Sequence, residues 1–261
     1  MKQIKLLLLI LAMLMPFMAN ADPVEINGIY YNLVTKAKVA EVTKNPNEYS
    51  GKVVIPKTVK YGGKEYNVTS IGKEAFSGAS EMTSVSIPNS IITIGDFAFV
   101  DCDGLTSISI PEGVESIGFE SFSGCSNVNT LTIANSVTSI GYAAFARLGI
   151  TSVTIPNNIT FLNAAFYGCT NLTSVMIPDN VEKLDATFYS CSGLRTVVIG
   201  KCVKDIGHAT FFGCSSLTSV TIPNSVTNIS HEAFKGCSRL TSVTIPNNVK
   251  AIGSSAFQDC I

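Results

Sequence analysis

Charge is scarce in this 261-residue chain, where Asp, Glu, Lys and Arg together make up 14% of the residues. Globular proteins usually carry about 25%. Basic and acidic residues nearly balance, 18 against 19, for a formal net charge of −1. No block of like charge and no charged tail breaks the pattern. The positive footprint that phosphate recognition needs is missing, so nucleic acid is excluded as a partner. Tryptophan is absent altogether. So are a Gly-x-Ser-x-Gly elbow, a phosphate loop, a dinucleotide-binding glycine fingerprint and a His-Glu-x-x-His pair. The eight cysteines include no Cys-x-x-Cys spacing that would hold zinc. These absences point to a non-catalytic protein without a cofactor. What covers the surface in place of charge is Ser, Thr and Asn, recurring at fixed intervals.

Only one long apolar run is present, Leu6 to Met15, and it is too short to span a bilayer, which takes about 20 residues. Lys2 and Lys5 precede it, and Pro16 and Ala19-Asn20-Ala21 follow. This charged, apolar, small-residue order predicts a secretory signal over residues 1–21, cleaved after Ala21. No cysteine stands at the cleavage point to carry a lipid anchor. The mature chain then holds 16 basic and 19 acidic residues, a net of −3, and no membrane span.

Past residue 50 the chain repeats itself. Ile-Pro pairs occur at Ile55, Ile87, Ile110, Ile155, Ile177, Ile222 and Ile245, with Ile133-Ala134 and Ile199-Gly200 filling the gaps. The steps are 32 residues once and 22 or 23 thereafter. An independent marker agrees: Phe76, Phe99, Phe122, Phe145, Phe166, Phe188, Phe211, Phe234 and Phe257. The long first step is explained by an insertion carrying Tyr61-Gly62-Gly63-Lys64, a hairpin turn. A period of 20 to 29 residues predicts a solenoid, whose units bury their apolar faces only against one another. In the unit from Leu217 to Cys237, alternation places Val220 and Ile222 inward and Ser219 and Thr221 outward on a short strand that Pro223 ends. Val226 and Ile229 point inward from a second extended piece, Ala233-Phe234 suits one helical turn, and Gly236 reverses the chain.

Leu-Thr-Ser-Val-Thr-Ile-Pro-Asn-Ser-Val, Ile-Gly, Ala-Phe and Gly-Cys-Ser, recurring in register from about Ile55 to Cys260, resemble the BspA-like leucine-rich repeats of bacterial surface proteins, of the Bacteroidetes type. Gly28-Ile-Tyr-Tyr31 and Ala40-Glu-Val-Thr43 resemble the N-terminal cap of exported members. The resemblance implies an exported binding or adhesion protein, at the cell surface or released. The expected fold is a β-rich α/β, right-handed leucine-rich-repeat solenoid of about nine 22–23-residue coils, made of short strands and short helical turns. The expected organisation is an N-terminal β cap and hairpin over residues 22–66 and the solenoid over 53–261, with no C-terminal sorting module and no evident C-terminal cap.

Four groups of residues are candidates for function. Cysteines 102, 125, 169, 191, 214, 237 and 260 each lie three residues after the repeat Phe, in a slot that elsewhere holds Ala79 and Leu148. A slot that accepts Ala and Leu favours a column of buried free thiols, although coil spacing also permits disulfides in an exported chain. Cys202 replaces a turn Ser or Asn and is expected to be exposed. Asp185, His208 and His231 share one slot in successive coils and include metal-ligand types. That slot also holds Lys73, Phe119, Tyr142 and Ser254, the variety of a solvated position, so no metal site is assigned.

The outward strand positions form the candidate binding strip, running from Ser84 and Ser86 to Ser242 and Thr244 and about 38 Å long at strand spacing. Its hydroxyl-rich, concave face suits an extracellular protein or glycan. Met176 and Val198, with Arg195 beside them and Ser174, Thr196, Ser219 and Thr221 around them, interrupt the hydroxyl pattern and mark the expected hot spot. The chain stops at Cys260-Ile261, where a tenth strand would begin, and an uncapped coil predicts self-association or a structural stacking role through that end.

Overall fold

The computed structural model describes residues 22–260, so the signal segment 1–21 and its cleavage lie outside the described residues. Strands β1 (Val24–Ile26), β2 (Ile29–Val34) and β3 (Val39–Thr43) form an antiparallel meander. β3 then pairs in parallel with β6 (Lys64–Ile71), which itself forms a hairpin with β5 (Thr58–Tyr61). The hairpin turn is the Tyr61-Gly-Gly-Lys64 segment expected from sequence. Gly62 and Gly63 have φ of 56° and 74°, which a two-residue turn matched to strand twist requires.

Around and beyond the hairpin the chain winds as a solenoid with two strand ladders. The first starts with β4 (Gly51–Val54) paired to β7 (Met82–Ser86) and, after a break in the pairing, runs on as β9 (Ser107–Ile110) paired to β11 (Thr130–Ile133). It resumes as β13 (Ser152–Thr154), β15 (Ser174–Met176), β17 (Thr196–Val198) and β19 (Ser219–Thr221), all parallel and in register. The second ladder runs from β6 through β8 (Thr93–Ile94) and β10 (Ser116–Ile117) to β12 (Ser139–Ile140). A further parallel set follows, β14 (Phe161–Asn163), β16 (Lys183–Asp185), β18 (Asp205–Ile206), β20 (Asn228–Ile229) and β21 (Ala251–Ile252). Both ladders are interrupted near residue 150, where the repeat shortens from 23 to 22 residues and Leu148 replaces the usual cysteine.

The third side of each coil departs from the helical turn expected there: the described residues contain no α-helix. The residues two before and two after the repeat Phe instead adopt positive φ in every coil. Ala164 and Gly168 around Phe166 have φ of 52° and 68°, and Ala209 and Gly213 around Phe211 have 48° and 68°. This alternation turns every second N–H toward the next coil. Phe166 N–H donates to Thr187 C=O, Phe188 to Thr210, and Phe211 to Ala233, at 2.7–3.0 Å, with matching bonds two residues on either side. Three such bonds link each successive pair of coils from Phe76 to Phe257, and all run the same way. The geometry explains why no helix fits. A helix is about 10 Å across, whereas strands in the adjoining ladders hold neighbouring coils about 4.8 Å apart.

The core is one long apolar cluster running the length of the solenoid, with a small satellite of Ala143, Ala146 and Ala164 beside it. Its axis is the phenylalanine column, whose neighbouring rings stack at 4.7–5.8 Å with planes within 16° of parallel. Tyr49 closes the N-terminal end of the column, 4.5 Å from Phe76. Its hydroxyl is fixed by donating to Thr43 C=O at 2.8 Å and accepting from Tyr30 N–H at 3.0 Å. Each buried Phe contributes on the order of 1.5–3 kcal/mol by removal from water.

Candidate recognition surface

The first ladder positions the strip predicted from sequence. Val175, Val197 and Val220 are buried, so the residues on either side of each must face outward. Cα pairing aligns Ser174 with Thr196 and Ser219, and aligns Thr154, Met176, Val198 and Thr221 in a second exposed row. Thr244 extends the second row by an isolated bridge to Thr221. Within a row of hydroxyls, Met176 and Val198 are 67% and 57% exposed and sit side by side. Val54, also 67% exposed, is a third apolar member at the start of this ladder and lies outside the sequence-based hot spot. Arg195 is exposed just before β17, in a row with Thr173 and Thr218. Its N–H donates to Thr173 C=O at 2.9 Å, and Thr218 donates back to Arg195 C=O. The predicted recognition residues are therefore brought together on one face.

Several turns after first-ladder strands are stitched to the coil before them. Asn158, Asn180 and Asn248 donate side-chain N–H groups to Asn135, Asn157 and Asn224 C=O, and Ser225 Oγ donates to Val203 C=O at 2.7 Å. Cys202 occupies this column and is exposed, as expected. Beside it, Lys201 pairs with Asp179 at 2.9 Å and Lys204 with Glu182 at 2.7 Å. The Lys201 ammonium bonds the Asp179 carboxylate and holds it below its usual range. Exposed pairs of this kind contribute little stability.

All eight cysteines are free thiols. Those of the repeat slot have a polar role as well as an apolar one. Cys191 Sγ–H donates to Phe166 C=O at 3.1 Å, Cys214 to Phe188 at 3.2 Å and Cys237 to Phe211 at 3.2 Å, each reaching the preceding coil. Burial pushes the Cys169 and Cys237 thiols up to about 12 and raises Cys191 and Cys214 well above 9.0. Thiols that stay protonated are poor nucleophiles.

The Asp185, His208 and His231 slot is also rearranged relative to expectation. The two imidazoles stack at 5.6 Å, but the carboxylate that joins them is Glu232. Among the described residues, these three form the group whose ligating atoms fall within 4.8 Å of one another; Asp185 is outside it.

Two partly exposed aromatic ladders escaped the sequence reading. Tyr167, Tyr189 and Phe212 stack at 4.9 and 4.6 Å, with Lys235 Nζ 5.8 Å from the Phe212 ring. Phe97, Phe119 and Tyr142 stack at 5.1 and 5.2 Å. The signal was present, since the first set lies one residue after the repeat Phe in three successive coils. A groove of about 520 Å³ beside the N-terminal meander is lined by Ile26, Tyr31, Val54, Pro56, Lys60 and Glu65. Within it the Thr58 hydroxyl donates to Glu65 Oε1 at 3.2 Å on the exposed face of the hairpin.

No described helix is long and apolar enough to cross a membrane. No curated protein matches the sequence. Among solved structures, the chain is similar to a leucine-rich repeat protein from Bacteroides ovatus, at 24% identity over 91% of this chain and 92% of that one, with a TM-score of 0.46. It is similar to a leucine rich cell surface protein from Faecalibacterium prausnitzii at 23% identity, over 92% and 93% of the two chains, with a TM-score of 0.43. It is similar also to the pneumococcal vaccine antigen PcpA at 20% identity, over 89% and 78%, with a TM-score of 0.47. Six copies of the BspA type leucine rich repeat match across residues 63–164 and 163–261. With that match spanning well over half of its length, the chain belongs to the BspA-type leucine-rich repeat family.

Proposed function

We propose that this protein is an exported recognition or adhesion module that binds an extracellular protein or glycan through the Ser/Thr face of its first ladder, without catalysing a reaction. The observation that carries the reading is the in-register pair Met176 and Val198, two exposed apolar side chains within an otherwise hydroxylated surface next to Arg195. Apolar anchors ringed by polar groups are where binding energy concentrates. The hydroxyl rows supply sequential hydrogen-bonding groups along the axis, as where Thr132 donates to Ser109 Oγ at 3.1 Å. Low charge on this face leaves association without long-range steering, so binding should depend weakly on salt. The buried thiols, held protonated, support the non-catalytic reading.

The test is capture of host matrix proteins and bacterial cell-wall glycans on the immobilised mature chain, compared with a Met176→Asp/Val198→Asp variant. A drop in retention of tenfold or more on the variant, about 1.4 kcal/mol, is the expected outcome. Both positions are exposed, so circular dichroism should show the variant folded. Equal capture by the two proteins would move recognition off this face.

A further inference from the structure

His208 and His231 are the protein's two histidines, and the fold places them in adjacent coils at the corner where the second ladder gives way to the third side. Both are exposed, and Glu232 beside them is half-buried. His231 Nδ1 lies 2.8 Å from Ser254 C=O and 2.7 Å from Ser254 Oγ, so this ring nitrogen is engaged by the following coil. Nε2 faces Glu232, 3.7 Å from Oε1. An imidazole whose Nδ1 is anchored by a neighbouring backbone carbonyl and hydroxyl, leaving Nε2 as the nitrogen turned outward, has the orientation that outer partners give metal-ligating histidines.

We propose that His208, His231 and Glu232 form a binding site for a divalent transition-metal ion of the Zn²⁺ type, with water completing the coordination. Two imidazoles and one carboxylate suit such ions and reject Ca²⁺ and Mg²⁺, which demand an oxygen shell. The three ligating atoms lie within 4.8 Å of one another, and metal–ligand distances of about 2.0–2.2 Å ask for a modest inward rotation of exposed side chains. One competitor is built in. Lys235 Nζ bonds Glu232 Oε1 at 2.8 Å, and a metal must displace it. The same Lys235 Nζ already lies 5.8 Å from the Phe212 ring centroid, a contact it keeps when the carboxylate turns away. The ion site lies off the Ser/Thr strip, and neither reading depends on the other.

Isothermal titration of the mature chain with ZnCl₂, in a Cys202→Ser background that removes the exposed thiol, tests the assignment. One bound Zn²⁺ per chain is expected. His208→Ala and His231→Ala should each weaken binding tenfold or more, while Lys235→Met, which frees the carboxylate, should tighten it severalfold. A purely structural role for these residues would not move affinity upward on loss of Lys235. CaCl₂ should give no heat. Absence of Zn²⁺ binding in the Cys202→Ser protein, or binding indifferent to His208→Ala and His231→Ala, would overturn the site. Thermal melting without metal checks that each variant folds.

Discussion

At the scale of single residues the repeat cysteine shows how one side chain serves two demands. Its sulfur fills an apolar slot that Ala79 and Leu148 also fill, and its proton reaches the carbonyl of the phenylalanine one coil back. The first demand was readable from the sequence, because a position that tolerates Cys, Ala and Leu is an apolar one. The second was not, since nothing in spacing says which carbonyl lies 3.1 Å from a thiol. Both have measurable consequences. Under native conditions a thiol reagent should label Cys202 rapidly, the half-buried Cys260 more slowly, and the six buried cysteines only after unfolding. Stability should also fall steeply at alkaline pH. A buried thiol raised from 9.0 to about 12 binds its proton more tightly folded than unfolded, so between those values the unfolded chain loses protons that the folded one keeps. Each such thiol then removes about 1.4 kcal/mol per pH unit above 9, and several act together. Chemical denaturation at pH 8, 9 and 10 checks the sign; a flat profile would refute the burial argument.

At the scale of the element, the strands were legible and the third side was misread. Val-x-Ile alternation with a terminating proline specifies a short strand almost unaided, and Tyr61-Gly-Gly-Lys64 specifies its hairpin. Ala-Phe followed by Gly suggested a helical turn because local propensity is the only cue that a single repeat offers. The decisive constraint comes from the neighbouring coils, which leave no room for a helix and demand outward N–H groups instead. The recurrent glycine two residues after Phe is the trace of that constraint, visible in sequence but attributable to positive φ only once the ladder is seen. Ser190 occupies this position with φ of 56°, where Gly168 and Gly213 stand in the adjacent coils. Ser190→Gly should therefore relieve left-handed strain and raise stability by up to about 1 kcal/mol, against the usual penalty for glycine elsewhere. A lowered denaturation midpoint would show that Ser190 makes a compensating contact. The same reliance on neighbours explains the candidate site. Its hydroxyl rows and Met176–Val198 pair follow from strand alternation, whereas the joining of Glu232 to the histidines depends on how side chains turn at a corner.

At the scale of the whole molecule, each coil touches chiefly the coils before and after it, so stability is a chain of nearest-neighbour terms. Phe166 lies mid-column, fully buried between Phe145 at 5.8 Å and Phe188 at 5.7 Å. Phe166→Ala should cost about 3–5 kcal/mol and divide unfolding into two separable transitions, as the stacks on either side lose their coupling. Phe257→Ala, at the half-buried end of the same column, should lower stability less and leave one main transition. A single shifted transition in both would mean that the ladders, not the rings, carry cooperativity. The uniform direction of the third-side hydrogen bonds has an electrical consequence. Parallel ladders nearly cancel their own peptide moments, but here three peptides per coil align head to tail from Phe76 to Phe257. At about 3.5 D each, they sum to an axial moment on the order of 80 D, negative toward the first coil and positive toward the last. Added coils enlarge it in proportion, so a longer array becomes not only a longer surface but a more strongly polarised rod, biased to meet an anionic envelope with its high-numbered end.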